Sequence, residues 1–283
     1  MRTPLKAGLV ALTVAAVLAV PVSVASAQPG GGGNGDRLTI VGLVDGTKLV
    51  NYTANNTRAG KSRDVKGLAG DVRLVGIDYR VQDGKLYGVG NAGGVYSITD
   101  AGQASKVKQL TVALTGTDFG VDFNPAANAL RVISDTGQNL RQPFLDLAAA
   151  ATVVDGTLAY TAGTPATGVT GAAYTNNDLD PNTATTLLDL DTAMDQIAIQ
   201  SPANAGTLVA TGKLGIDAAP NAGFDIYSTV RNGSTVDVTG FATAQVGAGR
   251  YSLYRITLFT GKADRIGTFD RAVTDIAIPL NQR

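Results

Sequence analysis

The chain has 283 residues, 23 basic and 23 acidic, for a formal net charge of zero, and contains no cysteine, histidine or tryptophan. Every acidic residue is aspartate; there is no glutamate. The composition therefore excludes a thiol nucleophile, a Ser-His-Asp triad and the usual zinc or copper ligand sets, and the balanced charge gives no electrostatic motive for binding nucleic acid or an anionic membrane.

Residues 1–27 read as a secretory signal peptide. Arg2 and Lys6 supply a positive start, residues 7–20 (AGLVALTVAAVLAV) are apolar, and Ala25-Ser26-Ala27 is a small-residue cleavage site. The apolar run is shorter than the roughly 20 residues that a spanning helix needs. No later segment is apolar enough to cross a membrane, and no cysteine is present to carry a lipid anchor. The expected location is extracellular. Disulfides are common there, but none can form, so packing alone must stabilise the fold. Residues 28–36 (QPGGGGNGD) form a glycine-rich linker.

From residue 37 to 283 the text becomes short alternating strands broken by Gly, Asn and Asp turns. Missing glutamate and abundant Gly, Val, Thr and Ile favour an all-β fold. A four-residue phrase recurs. Asp78 lies in GIDY, Asp122 in GVDF, Asp225 in GFDI and Asp275 in VTDI, while GAAY puts Ala173 in the same slot. The spacings are 44, 51, 52 and 50 residues. A period of 40–50 residues with four strands per unit is the signature of a β-propeller blade.

Strands are expected at 38–44, 48–53 and 62–67, then at 74–79, 85–90, 94–99 and 106–112. The third blade takes 119–123, 129–134, 138–142 and 151–154. The fourth takes 169–175, 184–190, 195–200 and 207–213, and the fifth 223–228, 234–241, 250–257 and 263–269. The first three strands lack an opening partner, and residues 273–278 are an opening strand with no successors. Joined, they complete a blade. The expectation is a five-bladed β-propeller closed by pairing of its N- and C-terminal strands, which hides exposed sheet edges.

Side chains alternate along a strand, so Ile77 and Tyr79 point one way and Asp78 the other. The apolar pair is expected between blades and the aspartate near the axis or a seam. Asp78, Asp122, Asp225 and Asp275 could form a carboxylate ring that binds a cation or substrate. Alternatively, each could accept backbone amides, the role that repetition once per blade favours. Tyr87, Tyr96 and Tyr254 read as packing residues between blades.

One local pattern has metal logic. Asp178, Asp180 and Asn182 alternate, and Asp189 follows eleven positions after Asp178, the span of a calcium loop. Thr183 stands where such loops need glycine, and Asp189 is shorter than the usual closing glutamate. A solvated turn is the competing reading. No other cofactor is implied.

Several of these segments resemble the domain of unknown function 4394, found in secreted bacterial proteins. They are GIDYRVQDGKLYGVGNAGGVYSIT, TDFGVDFNPAANALRVISDTGQNLR, AAYTNN, GFDIYS and SLYRITLFTGKADRIG. Leu188 departs from the tyrosine that the family more often carries. The resemblance implies a propeller-like, non-enzymatic domain and brings no catalytic residues.

The function expected from these observations is a secreted, monomeric, non-catalytic module that binds or scaffolds a protein or glycan ligand. A carboxylate-only polysaccharide hydrolase is the alternative. It would need two aspartates about 5–9.5 Å apart, one with a raised pKa. A lactonase-like, metal-dependent propeller would have only Asp and Asn to build its site.

Overall fold

In the computed structural model, residues 37–282 are described, and they contain twenty β-strands and a 3-10 turn at Ala203–Ala205. The expected signal peptide and linker lie outside the described residues. The first three strands are β1 (Thr39–Val44), β2 (Lys48–Thr53) and β3 (Asn56–Asp64). Next come β4 (Leu74–Tyr79), β5 (Leu86–Gly90), β6 (Gly94–Ile98) and β7 (Ala104–Gln109). They are followed by β8 (Phe119–Asn124), β9 (Ala129–Ser134), β10 (Asn139–Pro143) and the two-residue β11 (Val153–Val154). Then come β12 (Val169–Tyr174), β13 (Leu187–Asp191), β14 (Gln196–Gln200) and β15 (Leu208–Lys213). The last five are β16 (Gly223–Arg231), β17 (Ser234–Ala244), β18 (Ser252–Ile256), β19 (Ala263–Thr268) and β20 (Val273–Ala277).

These strands make five separate four-stranded antiparallel sheets, four of them from consecutive strands. The remaining sheet has the order β20-β1-β2-β3. Its register places Ile276 opposite Gly42 and Asp275 opposite Leu43, so the end of the chain supplies the strand that blade one lacks. The opening strands pack on one another in a cycle, β4 on β8, β8 on β12, β12 on β16, β16 on β20 and β20 on β4. The molecule is thus a five-bladed β-propeller latched by its two ends, as its text implies.

Blades pack through apolar faces. Ile77 and Tyr79 of β4 sit with Val41, Leu43, Leu49 and Ala277 of blade one. Val121 and Phe123 of β8 sit with Tyr87 and Val89 of blade two. Tyr87, Phe123 and Phe144 form edge-on ring contacts with centroids 4.8–5.5 Å apart. Tyr96 and Tyr254 are also buried, in the seams of blades two and five. At roughly 25 cal/mol per Å² of apolar surface, such seams provide the main stabilisation in a chain without disulfides.

Several strand boundaries differ from expectation by two or more residues, and three of them have a clear cause or consequence. β3 begins at Asn56, not 62. As the outermost strand it is largely exposed, and NTRAGKSRD shows no apolar alternation to read. β13 begins at Leu187, not 184, because Thr185 and Thr186 bond the carbonyl and hydroxyl of Thr175, and side-chain oxygens compete with the ladder there. The β16–β17 hairpin continues to Arg231 and Ser234, longer than the other blades' opening hairpins.

Candidate functional site

The repeated phrase explains how the opening strands come together. A Cβ on Gly120 would lie 2.6 Å from the backbone nitrogen of Ala172 in the next blade, and one on Gly223 would lie 2.6 Å from the Cα of Asp275. Only glycine admits neighbouring backbones at that distance. The residue two positions on, the aspartate, then reaches the next blade. Asp78 Oδ2 accepts the Phe123 amide at 2.8 Å and Asp122 Oδ1 the Tyr174 amide at 3.0 Å. Asp275 Oδ2 accepts the Ile77 amide at 2.8 Å, and Asp225 Oδ2 the Ile278 amide at 2.6 Å. Ala173 interrupts the series. The Ile226 amide, which an aspartate there would face by analogy with the two preceding blades, goes to the carboxylate of Asp225.

The same carboxylates converge on the axis. One oxygen from each of Asp78, Asp122 and Asp225 lies within 4.8 Å of the others. Asp275 is buried beside them, and the four aspartates are 2–8% exposed. Burial raises the pKa of Asp78, Asp122 and Asp275 well above the ordinary carboxylate value, and the neighbouring aspartates raise it further. Burial also raises Asp225, to about 6, against the pull of its two amide donors. Both sequence readings of the ring therefore have a physical counterpart. Each carboxylate ties one blade to the next, and three of them form an oxygen cluster of the hard-cation type. Among the described residues, no other group of three acidic side chains approaches this closely.

The candidate calcium loop comes together only in part. Asp178 accepts the amides of Asp180 and Thr235, and Asp180 accepts the Asn182 amide and the Ser234 hydroxyl. These bonds fasten the loop to the β16–β17 hairpin. Asp189 is not in this loop. It lies in the middle of β13, opposite Ala172 and Ala198, on the face turned toward blade three.

Asp189 is fully buried, and neither carboxylate oxygen has a hydrogen-bond partner. Burial drives its pKa well upward, offset by Arg131 and reinforced by Asp191. Strand register supplies an internal comparison. The equivalent positions of three other blades hold Gly88, Val132 and Ala242, opposite Ile77, Val121 and Phe224, and in blade one Val44 follows the Leu43–Asp275 pair. Only blade four places a carboxyl group in this apolar slot.

Nearby is a residue that the sequence reading passed over. Arg131, in the buried strand ALRVIS, directs its guanidinium to Asn139 and Asp155 at 2.7 Å and to Asn204 at 2.9 Å. It cross-links blade three to the loop that opens at Ala203 in blade four. An arginine inside an otherwise apolar strand run was the available signal.

Above the axis, at the starts of the opening strands, lies an open depression of about 310 Å³. Blade one contributes Asp45 and Thr274, blade two Arg73, blade three Thr117 and Asp118, and blade five the approach residue Asn221. Partial burial raises the Asp118 pKa, while Arg73 lowers it.

Fold and site together define the class, a five-bladed propeller with a carboxylate cluster sealed on its axis and a polar mouth above it. The family model described as domain of unknown function (DUF4394) matches residues 48–277, and the chain belongs to that family. No curated protein matches it. Among solved structures it is similar to a chain of a nidogen/laminin complex, at 11% identity over 87% of this chain and 99% of that one, with a TM-score of 0.47. Virginiamycin B lyase from Staphylococcus aureus aligns at 14% identity over 77% and 69% of the two chains, with a TM-score of 0.40. A protein of unknown function from Bacteroides thetaiotaomicron aligns at 10% identity over 86% and 67%, with a TM-score of 0.46.

Proposed function

We propose that the protein is an exported, non-catalytic binding module whose ligand sits in the polar mouth above the axis. The observation that carries this reading is the mouth itself, in which Asp45, Arg73, Thr117, Asp118, Asn221 and Thr274 from four blades surround one depression. Loops on a rigid frame are the usual place for recognition. Paired donors and acceptors of this kind suit a polar ligand such as a glycan or an extended peptide. The leader-like residues 1–27 support export.

A carboxylate-only hydrolase is the weaker reading. The axial aspartates have raised pKa values, as such an enzyme needs, but a sugar ring has no access to carboxyl groups that are 2–8% exposed. A glycan array and a pull-down from culture medium, run with Arg73→Ala and Asp118→Asn, test the proposal. At least tenfold weaker binding by either variant supports it. Unchanged binding by both variants, or glycan turnover that Asp122→Asn abolishes, overturns it.

A further inference from the structure

We infer that the groove between the outer strands of blades one and five is a second site, which binds an oxyanion such as a carboxylate or sulfate group. These two strands touch near one end. The Thr57 hydroxyl of β3 donates to the Thr268 carbonyl of β19 at 2.9 Å. A Cβ on Gly267 would lie 2.6 Å from the Thr57 hydroxyl oxygen, so the walls meet this closely only because residue 267 is glycine. Asn55, Asn56 and Arg58 on one side and Arg265 on the other enclose a groove of about 310 Å³. That is room for roughly ten waters.

No carboxylate lines this groove. Arg80, Arg131, Arg141 and Arg271 each pair with an aspartate, whereas Arg58 and Arg265 form no ion pair among the described residues. Both are exposed. Arg265 is braced by a 3.1 Å bond to the Thr268 hydroxyl, which leaves most of its donors unused. Guanidinium groups suit planar, bidentate recognition of carboxylate, sulfate or phosphate. Lys61 and Arg63 of β3 stand opposite Asn51 and Leu49 and turn toward blade two, so the groove's cationic character rests on Arg58 and Arg265. A carboxylate borne by a polymer and a free sulfate share the chemistry that this pair recognises.

The test is calorimetric titration of the full protein with polygalacturonate, with sodium sulfate and with neutral dextran. Polygalacturonate is expected to bind and dextran not, with affinity falling as salt rises. Arg58→Gln and Arg265→Gln should each weaken binding at least tenfold, Arg265→Lys less, and Lys85→Gln not at all. Because both arginines are exposed, unchanged melting of the variants will show that the fold is intact. Binding of sulfate in place of polygalacturonate would assign the groove to a free oxyanion. If neither probe binds, or if both glutamine variants bind like the parent, the inference falls. The mouth proposal is unaffected by that result, since its variants lie elsewhere on the molecule.

Discussion

Thr39 and Gln282 stand 243 positions apart and exchange two hydrogen bonds. The Thr39 amide donates to Gln282 Oε1 at 2.6 Å, and Gln282 Nε2 donates to the Thr39 carbonyl at 2.9 Å. The Tyr227 hydroxyl adds a bond to the Gln282 carbonyl at 2.8 Å. This clamp lies just beyond the β20–β1 pairing that shuts the ring. Gln282→Ala should cost about 1–2 kcal/mol, as expected for two net hydrogen bonds of about 1 kcal/mol or less each. Removing residues 273–283 takes away the opening strand of blade one, including the buried Val273, Ile276 and Ile278. That truncation should abolish cooperative unfolding, measured by near-UV circular dichroism on heating. A truncated chain that melts like the parent would show that the ring does not depend on its latch.

The axial carboxylates set an unusual pH profile. Asp225 has its pKa raised by burial from 3.8 to about 6 in the folded protein. A carboxyl group raised in this way favours folding most below its unfolded pKa, and the benefit is lost as pH rises through the folded value. Stability should therefore fall between pH 4 and somewhat above 6, by about 3 kcal/mol for a two-unit shift. Asp225→Asn removes the titration and keeps an acceptor oxygen for only one of the two amides, Ile226 or Ile278, which Oδ1 and Oδ2 serve separately. Its melting temperature should vary less over this window than that of the parent. A parent protein that gains stability from pH 4 to 7 would contradict the argument.

The backbone latches can be separated from the charge by two substitutions at one place. Asp122→Asn retains an acceptor for the Tyr174 amide, whereas Asp122→Ala leaves that buried N–H without one. An orphaned buried donor costs about 1–3 kcal/mol. Urea unfolding at pH 7 should rank the asparagine variant above the alanine variant by that amount. Equal stability would mean that the amide bond contributes nothing to holding blades three and four together.

How much of this was legible beforehand follows from what each residue must do locally. Blade boundaries could be read because half-buried strands alternate and their turns are marked by Gly, Asn and Asp. The closing of blade one followed from an opening strand with no successors. The outer strand β3 starts six residues before its expected first residue because its side chains face water and carry no alternation. The aspartate phrase revealed a repeated task, and Gly120 shows the steric half of it. Convergence of Asp78, Asp122 and Asp225 is a property of ring curvature, which no local window contains. Asp189 was misplaced for a related reason. Its spacing from Asp178 suited a metal loop, but strand register puts it in a sealed seam, and spacing carries no information about which face is buried.

Asp189 gives the most pointed test of the seam. Its carboxyl has no donor, and the equivalent slot in blade five is filled by Ala242. Asp189→Ala should therefore stabilise the fold, because a buried polar group without a partner costs about 1–3 kcal/mol. The gain must depend on pH. Since the folded pKa of Asp189 is raised, its cost grows as pH rises and the group is asked to ionise. Chemical unfolding at pH 5 and pH 8 should show the alanine variant ahead of the parent at both, with the wider margin at pH 8. A destabilised variant, or a margin that narrows toward pH 8, would mean that Asp189 is held by Arg131 as a working ion pair.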